Sequence, residues 1–524
     1  MPIDILHDVV RINRELMPEK TALTFTPDGR TWTYENLDDE SNRVANGLLE
    51  LGVKPRQRVA ILDKNKPEFV LLLFGASKVG AVLTPINWRL AAREIEYVLR
   101  DSEAAVLIVG EDFLDTIQQV DCNTLTVIVN GDPGETQLAS YQAWISPLPI
   151  SDPQISVEAG NTCCQMYTSG TTGYPKGVET THRNLTTVCL NNLAVTNVGR
   201  DSAMLTFMPL FHLSGALITL LGLFSGGHTV LQQEAALQDV QDSIARYQIT
   251  HMVSVPAFLK MLIDLPNATE VDYSSLKYVF YGGSPITVDV MKKAVAVMDG
   301  VGFMQSFGLT ESTGGFTLLS PDDHVTAIND PNKATLLHSC GRLCMPDHEM
   351  MIVDSDTGIE LAEGAVGEVW VRGPQIMKGY WRNPEATSET ITTDGWLRTG
   401  DAGSVENGYL YIRDRIKDMI ISGGENIYPA EVENALMEHD HIMDATVIGI
   451  PHEKWGETVL AICVRDDTTL TERQLIDHCR NLLAHYKCPT NVIWCDTIPR
   501  NASGKVQKHR LRAPYWETKN PEAS

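Results

Sequence analysis

The chain has 524 residues, an apolar fraction of 43% and a formal net charge of −25. That length exceeds one ordinary hydrophobic core, so two or more domains are expected. The acidic surplus leaves no basic excess to neutralise nucleic-acid phosphates, so nucleic acid is not expected as a partner, and it weakens attraction to an anionic membrane.

Near the N-terminus, Ile5, Leu6, Val9, Val10 and Ile12 fall on one helix face. Charged residues interrupt residues 1–18, which does not fit a signal peptide. Arg58–Leu62 reads as a buried strand, 67–79 as a helix and 81–85 as the next strand. Such alternation predicts a parallel sheet with crossover helices.

Segment 167–178 breaks this pattern. Thr168, Ser169, Thr171 and Thr172 supply hydroxyls, and Lys176 supplies a positive charge. Gly170, Gly173 and Gly177 let the backbone bend and let a ligand approach its amides. Donors of these kinds describe a polyphosphate cradle. Gly177 follows Lys176, so there is no Gly-Lys-Ser/Thr step as in the Walker loop. The plain alternative is a surface loop of small residues, and the density of donors speaks against it.

Downstream, Leu213–Phe224 is the longest apolar stretch, too short to span a membrane. Strand-like segments at 229–231, 251–255 and 278–281 continue the alternation. In segment 305–312, Thr310 and Glu311 follow Gly308. A carboxylate brought near a phosphate cradle suits Mg²⁺, which takes oxygen ligands. Phe307 offers a flat face to a purine. Alone, this motif is a weak signal.

From residue 349 the texture changes, and 368–373 and 408–412 read as antiparallel strands. Asp401, after Gly400, can accept two hydroxyl hydrogen bonds from a ribose diol; the plain alternative is an Asp turn. The charged run 413–418 lies between two apolar strands and marks a domain break. A helix from Ala430, a strand at 445–450 and a helix at 475–485 then make a small α+β domain. Lys505 lies in a Pro/Gly-rich loop, where a lysine is ordinarily solvated. Carried into a cleft by a moving domain, it would neutralise charge developing on oxygen. The ten cysteines lack paired zinc spacing, and Gly456 stands where a zincin helix starting at His452 would need its second histidine. A reducing, cytoplasmic setting is expected.

Taken in order, these segments and 414–431 resemble the adenylate-forming superfamily of acyl-CoA synthetases, luciferases and peptide-synthetase adenylation domains. Within it the chain is most similar to bacterial medium- and long-chain fatty-acyl-CoA ligases, over nearly its whole length. The resemblance implies an α/β fold. A large N-terminal domain of doubly wound sheets, with a small β-barrel-like subdomain, would span 1–414. A mobile small α+β domain would span 415–524, hinged near 415–418. It implies ATP, Mg²⁺ and coenzyme A as cofactors, a small carboxylic acid as substrate, and leaves room for a homodimer.

Residue by residue, the resemblance implies that Thr168 to Lys176 hold the β- and γ-phosphates, with Thr168 and Glu311 on Mg²⁺. Gly282, Gly283 and Ser284, with Ser306, Phe307 and Gly308, would frame the adenine. Phe307 departs from the family's usual tyrosine, so any hydroxyl bond there is lost. Asp401 and Arg415 would bind the ribose. Lys505 would bridge the substrate carboxylate and the α-phosphate. Lys417 matches the hinge position, and Gly424 the glycine beside the coenzyme A tunnel. His212 matches a gate beside the reacting carboxylate, and amino-acid-activating relatives carry aspartate there. Leu213, Gly215, Tyr281, Gly314 and Gly315 would line an acyl pocket with no fixed charge. These features favour an apolar acyl chain; an aryl, cinnamate-type acid is the alternative. Two readings from other classes are adenylation without thioester formation and a catalytically silent scaffold.

Overall fold

The computed structural model describes residues 3–168, 175–283, 286–423, 425–500 and 506–516. Packing divides the chain into two compact units, Met1–Glu349 with Val371–Leu397, and Met350–Trp370 with Arg398–Ser524. The 414/415 division expected from the sequence falls inside the second unit.

The first unit is mixed α/β and holds two sheets. In one, Arg58–Leu62 is central, with Val82–Pro85 and Ala104–Gly110 parallel on either side. Thr162–Thr168 joins parallel to Val82–Pro85, and Lys176–Thr181 and Gly379–Tyr380 close that edge antiparallel. In the other, Ala203–Thr206, His228–Leu231, His251–Ser254, Tyr278–Gly282 and Gly302–Leu309 are parallel neighbours. Gly314–Leu319 returns antiparallel beside Gly302–Leu309. The expected βα alternation is thus present, and its strands are near-continuous apolar runs because helices cover both faces.

One helix shows the layering. Every residue of Pro67–Lys78 is buried, as befits a helix that is apolar nearly all round. It shares one core with Val59 and Ile61 of the first sheet, Leu23 and Phe25 of the second, and Leu220 and Leu223 of Leu213–Phe224. Lys78 ends this helix fully buried; its Nζ donates to Asp38 Oδ1 at 2.5 Å and Asn42 Oδ1 at 2.6 Å. A buried ammonium is tolerated only when so paired. Helix starts are set locally: Thr33 and Asn36, Thr181 and Asn184, and Ser320 and Asp323 each form reciprocal caps.

In the second unit, Leu397–Glu406 and Tyr409–Arg415 pair antiparallel as expected, with Gly367–Arg372 next in the sheet. A separate sheet is built on the long hairpin Ile442–His452 and Gly456–Arg465. Pro429–Met437 and Glu472–Leu482 cover it through Val432, Leu436, Val447, Val459 and Leu475. The helix expected at 475–485 starts earlier because Thr471 and Gln474 cap it reciprocally. His452 and Gly456 face each other across the hairpin, with Gly456 at φ +80°. The segment that begins like a zincin helix is therefore a tight β-turn, which excludes the helical spacing such a metal site needs.

Candidate active site

In the first unit the candidate residues gather at the carboxyl ends of parallel strands, where open α/β sheets bind ligands. Thr168 and Lys176 are register partners at the mouth of an antiparallel hairpin. Between them, Ser169, Gly170, Thr171, Thr172 and Gly173 lie outside the described residues, as does Ser284. The hairpin is braced from below. Gln165 Nε2 donates to Tyr167 Oη (3.0 Å), which donates to Asp101 Oδ2 (2.6 Å). Gln165 lies so close to Gly177 that a Cβ there would come within 2.5 Å of its Nε2. Gly177 is thus required for close packing.

Glu311 stands on the turn between Gly302–Leu309 and Gly314–Leu319. Ser312 Oγ accepts from Leu309 N (2.9 Å), and Thr310 O accepts from Thr313 N (3.0 Å). Thr313 takes φ +49° there. The strands approach so tightly that a Cβ on Gly308 would lie 2.0 Å from Gly314 O, and one on Gly315 1.8 Å from Ser306 Oγ. A segment absent from the sequence reading holds this turn. Gln375, fully buried, donates to Ser312 O (2.8 Å) and Gly315 O (3.1 Å). Met377 N donates to Glu311 O (2.9 Å). Tyr380 Oη donates to Glu311 Oε1 (2.8 Å), and Lys176 Nζ sits 4.9 Å from the centre of the Tyr380 ring. Thr168, Lys176 and Glu311 are therefore brought together, with Tyr380 between the charges.

Gly282 and Ser306 are register partners on adjacent parallel strands. Gly283 follows at φ +81° in open space, and Phe307 meets Phe316 edge-on at 5.4 Å.

The acyl-pocket residues divide. His212 precedes Leu213–Phe224, and burial, then the Arg89 charge, lowers its pKa, so the imidazole is neutral near pH 7. Arg89 lies over Trp88 (4.6 Å) and Phe211 (5.9 Å). A fixed charge does therefore stand near this gate, contrary to the sequence reading. Gly215 is needed because a Cβ would lie 2.3 Å from Pro209 O, and Gly314 abuts Leu217. Two expected lining residues are corrected. Leu213 is buried in the main core. Tyr281 is 1% exposed in the second core, its hydroxyl 2.7 Å from His324 Nε2. Strand alternation gives the opposite face to Phe280, which packs against the cluster of Val198, Met204, Ile218 and Leu221 and stacks on His251 at 6.0 Å. Parity along 278–282 would have revealed this.

In the second unit Asp401 and Arg415 are register partners. Asp401, 4% exposed, receives Arg415 Nε on Oδ1 at 2.6 Å, and Arg415 also donates to Thr399 O (3.2 Å). Gly400 N donates to Glu368 Oε1 (3.0 Å), fixing the turn before Asp401. Lys417 follows; burial lowers its pKa despite Asp418 nearby. Its carbonyl accepts from Arg512 at 3.0 Å. Lys508 of Lys508–Trp516 bridges Glu433 (3.0 Å) and Asp414 (3.6 Å). Burial raises the Asp414 pKa, and burial of Lys508 is outweighed by Glu433 and Asp414, which hold its pKa up. Gly424 and Lys505 lie outside the described residues. Gly423, at φ +61°, donates its N–H to Trp455 O (2.8 Å) beside a half-exposed indole.

No group of three or more His, Cys, Asp or Glu among the described residues forms a metal cage. A Mg²⁺ ion held largely by substrate phosphates needs only one or two protein oxygens. Glu311 and Thr168 fit that requirement in donor type. No helix among the described residues is long and apolar enough to cross a membrane.

The family described as AMP-binding enzyme matches residues 11–381, and that described as AMP-binding enzyme C-terminal domain matches 431–505. The chain is 37% identical to a fatty acid–[acyl-carrier-protein] ligase of Streptomyces coeruleorubidus, over 95% of this chain and 94% of that one. It is 34% identical to a long-chain-fatty-acid–CoA ligase of Mycobacterium tuberculosis, over 93% of each chain. It is also 34% identical to a feruloyl-CoA synthase of an Amycolatopsis species, over 95% and 97%. ATP-bound MatB from Rhodopseudomonas palustris superposes with a TM-score of 0.88 at 28% identity, covering 98% of this chain and 99% of that one.

Proposed function

The chain belongs to the AMP-binding enzyme family, an AMP-forming acid–thiol ligase in class, and from that premise we propose that it converts a medium- or long-chain fatty acid, ATP and coenzyme A into the acyl-CoA. The observation that carries the class is the near-full-length similarity to acid–thiol ligases. What supports the fatty chain is the partly buried apolar pair Leu217 and Phe280. The aryl alternative rests on the equally similar feruloyl-CoA synthase. The carrier-protein ligase likewise makes a protein-borne thiol the alternative acceptor to coenzyme A.

The chemistry explains the residue set. A carboxylate resists attack by a thiol. In the proposed first step its oxygen attacks the α-phosphorus of ATP, the bond to the β-phosphate oxygen breaks, and pyrophosphate leaves. The thiol then attacks the acyl carbon and AMP departs. Catalysis of the first step is positioning and charge neutralisation. We assign the phosphates to the 168–176 hairpin and Lys176, the adenine to Gly282, Gly283, Ser284, Ser306 and Phe307, and the ribose to Asp401 and Arg415. Their mutual bond means that Arg415 pre-orients Asp401 before ribose arrives. Neutral His212 offers a polar contact. Lys505 carries the charge that meets the α-phosphate, and Lys417 is the hinge between steps, with 414/415 as the domain boundary. When bound, Mg²⁺ would neutralise charge on the β- and γ-phosphate oxygens, with Glu311 and Thr168 as its protein ligands.

The test is pyrophosphate release across fatty, aryl and short-chain acids, with coenzyme A, with a phosphopantetheinylated carrier protein, and with neither. A fatty-acid maximum with acyl-CoA formation is expected. A maximum on cinnamate-type acids, or pyrophosphate release without any thioester, would overturn the reading.

A further inference from the structure

We propose that Tyr380 is a positioning residue of the phosphate site, which holds Glu311 and Lys176 apart and oriented for the metal–nucleotide complex. This rests on the reading of Glu311 as the carboxylate that serves the phosphate-bound metal. Residues 375–381 form a strap between two elements remote in sequence. At one end Gln375 and Met377 bind the backbone of the Glu311 turn. At the other, Gly379 and Tyr380 pair with Glu179 and Val178, and Trp381 N donates to Gly177 O at 2.7 Å. Asn184 Nδ2 donates to Pro374 O (2.8 Å) and Ile376 O (2.9 Å), fixing the strap's near end. The distance between the phosphate hairpin and the carboxylate turn is thereby set by backbone and side-chain amide hydrogen bonds.

Tyr380 is where this strap meets the chemistry. Its hydroxyl engages Oε1 of Glu311 at 2.8 Å, which leaves Oε2 as the oxygen to meet a ligand. Its ring face attracts the Lys176 ammonium at 4.9 Å, a cation–π distance. A lysine and a glutamate sharing one small site would otherwise pair with each other, and a ligand would first have to break that pair. Here each of the two meets Tyr380. The phenol serves both charges at once. Its hydroxyl, a neutral donor, satisfies part of the carboxylate, and its neutral π-face satisfies part of the ammonium. Each charge stays in place and remains usable by the opposite charge of the ligand.

Tyr380→Phe removes the hydroxyl and keeps the ring, whereas Tyr380→Leu removes both. The probe is Mn²⁺ with ATP, titrated by electron paramagnetic resonance against the full-length protein, with no acid present. Tyr380→Phe is expected to weaken Mn²⁺ uptake in the presence of ATP about tenfold, the scale of one hydrogen bond to a charged group. Tyr380→Leu is expected to add about a several-fold loss of ATP affinity through Lys176. Thioester formation from supplied acyl-AMP should be unchanged in both variants, since that half-reaction has no β- or γ-phosphate. An unchanged Mn²⁺ titration in Tyr380→Phe would overturn the proposal. So would an equal fall in both half-reactions with a lowered melting temperature, which indicates scaffolding alone. Glu311→Gln separates the two failures. If it leaves the Mn²⁺ titration unmoved, the assignment of Glu311 itself falls. If it weakens the titration while Tyr380→Phe does not, only the role of Tyr380 falls.

Discussion

The two charged regions of this molecule handle the same problem in opposite ways. Around the phosphate hairpin, Lys176 and Glu311 face a phenol rather than each other. In the second unit, Asp401 is already bound by Arg415, Lys508 by Glu433 and Asp414, and Arg512 approaches Asp418. Charges kept apart by neutral groups are ready for a ligand but contribute little to folding. Charges paired with each other while buried make the fold costly to break at either partner, since the other is left uncompensated, and they must be prised apart or borrowed when a ligand arrives. The first region is accordingly expected to be sensitive in binding assays and the second in stability assays.

The largest expected break is Lys505→Ala. If that lysine neutralises the α-phosphate, pyrophosphate release should fall by about 10²- to 10³-fold, the scale of one preorganised electrostatic contact. Thioester formation from supplied acyl-AMP should persist. An equal loss of both half-reactions would remove Lys505 from the adenylation step.

Next comes a matched pair that tests the contrast directly. Lys508→Met leaves Asp414 and Glu433 without their cation in a buried setting, and should cost about 3 kcal/mol in urea unfolding. Lys176→Met leaves a phenol ring without an ammonium, and should cost under about 1 kcal/mol. The latter should still raise the apparent KM for ATP about tenfold through the lost charge-assisted phosphate contact. Similar stability losses for both would erase the distinction between the regions.

The pH dependence should divide along the same line. In the first unit, burial lowers the pKa of His7 to about 3 and of His182 and His251 to about 4. Below pH 6.5 the unfolded chain takes up these protons first, so stability should fall as pH drops from about 6.5 towards 4. Lys508 has a folded pKa above its ordinary value. Its contribution is fully present below that ordinary value and is lost as pH rises through the folded one. Urea midpoints measured across pH should lose part of the acid limb in His251→Phe, whose ring can stack between Tyr278 and Phe280. They should lose part of the alkaline limb in Lys508→Met.

How much of this was legible in the chain follows from the range of each interaction. The phosphate hairpin could be read because Thr168 to Lys176 are contiguous and their residue types already match the chemistry. The parallel sheets could be read because strand and helix periods are local. Tyr380 and Gln375 could not, since their roles exist only through register with Val178 and contact with Ser312, more than sixty residues away along the chain in the latter case. Arg89 reads as ordinary surface until the fold sets it on Phe211 near His212. The false zincin start at His452 was decided by a turn glycine. Tyr281 was a different error: the strand was right, and the face was off by one residue.

That last error yields the smallest prediction and tests the apolar side of the ligand-ready region. Phe280, not Tyr281, lies on the strand face turned towards Ile218 and Leu221. Removing the Tyr281 hydroxyl would leave His324 without this partner, so Tyr281→Phe should lower stability by about 1 kcal/mol with little change in acid preference. Phe280→Ala removes a ring from the wall that an acyl chain would follow. Each added methylene buried there contributes about 0.8 kcal/mol, so the ratio of kcat/KM for a longer over a shorter acid should rise roughly threefold to tenfold. The adenylate is made from the same nucleotide in both variants, so the KM for ATP should hold steady and serve as the internal control. If Tyr281→Phe moves the chain-length profile and Phe280→Ala does not, the pocket lies on the other face of the strand, and the wall drawn from Ile218 and Leu221 must be redrawn around His324.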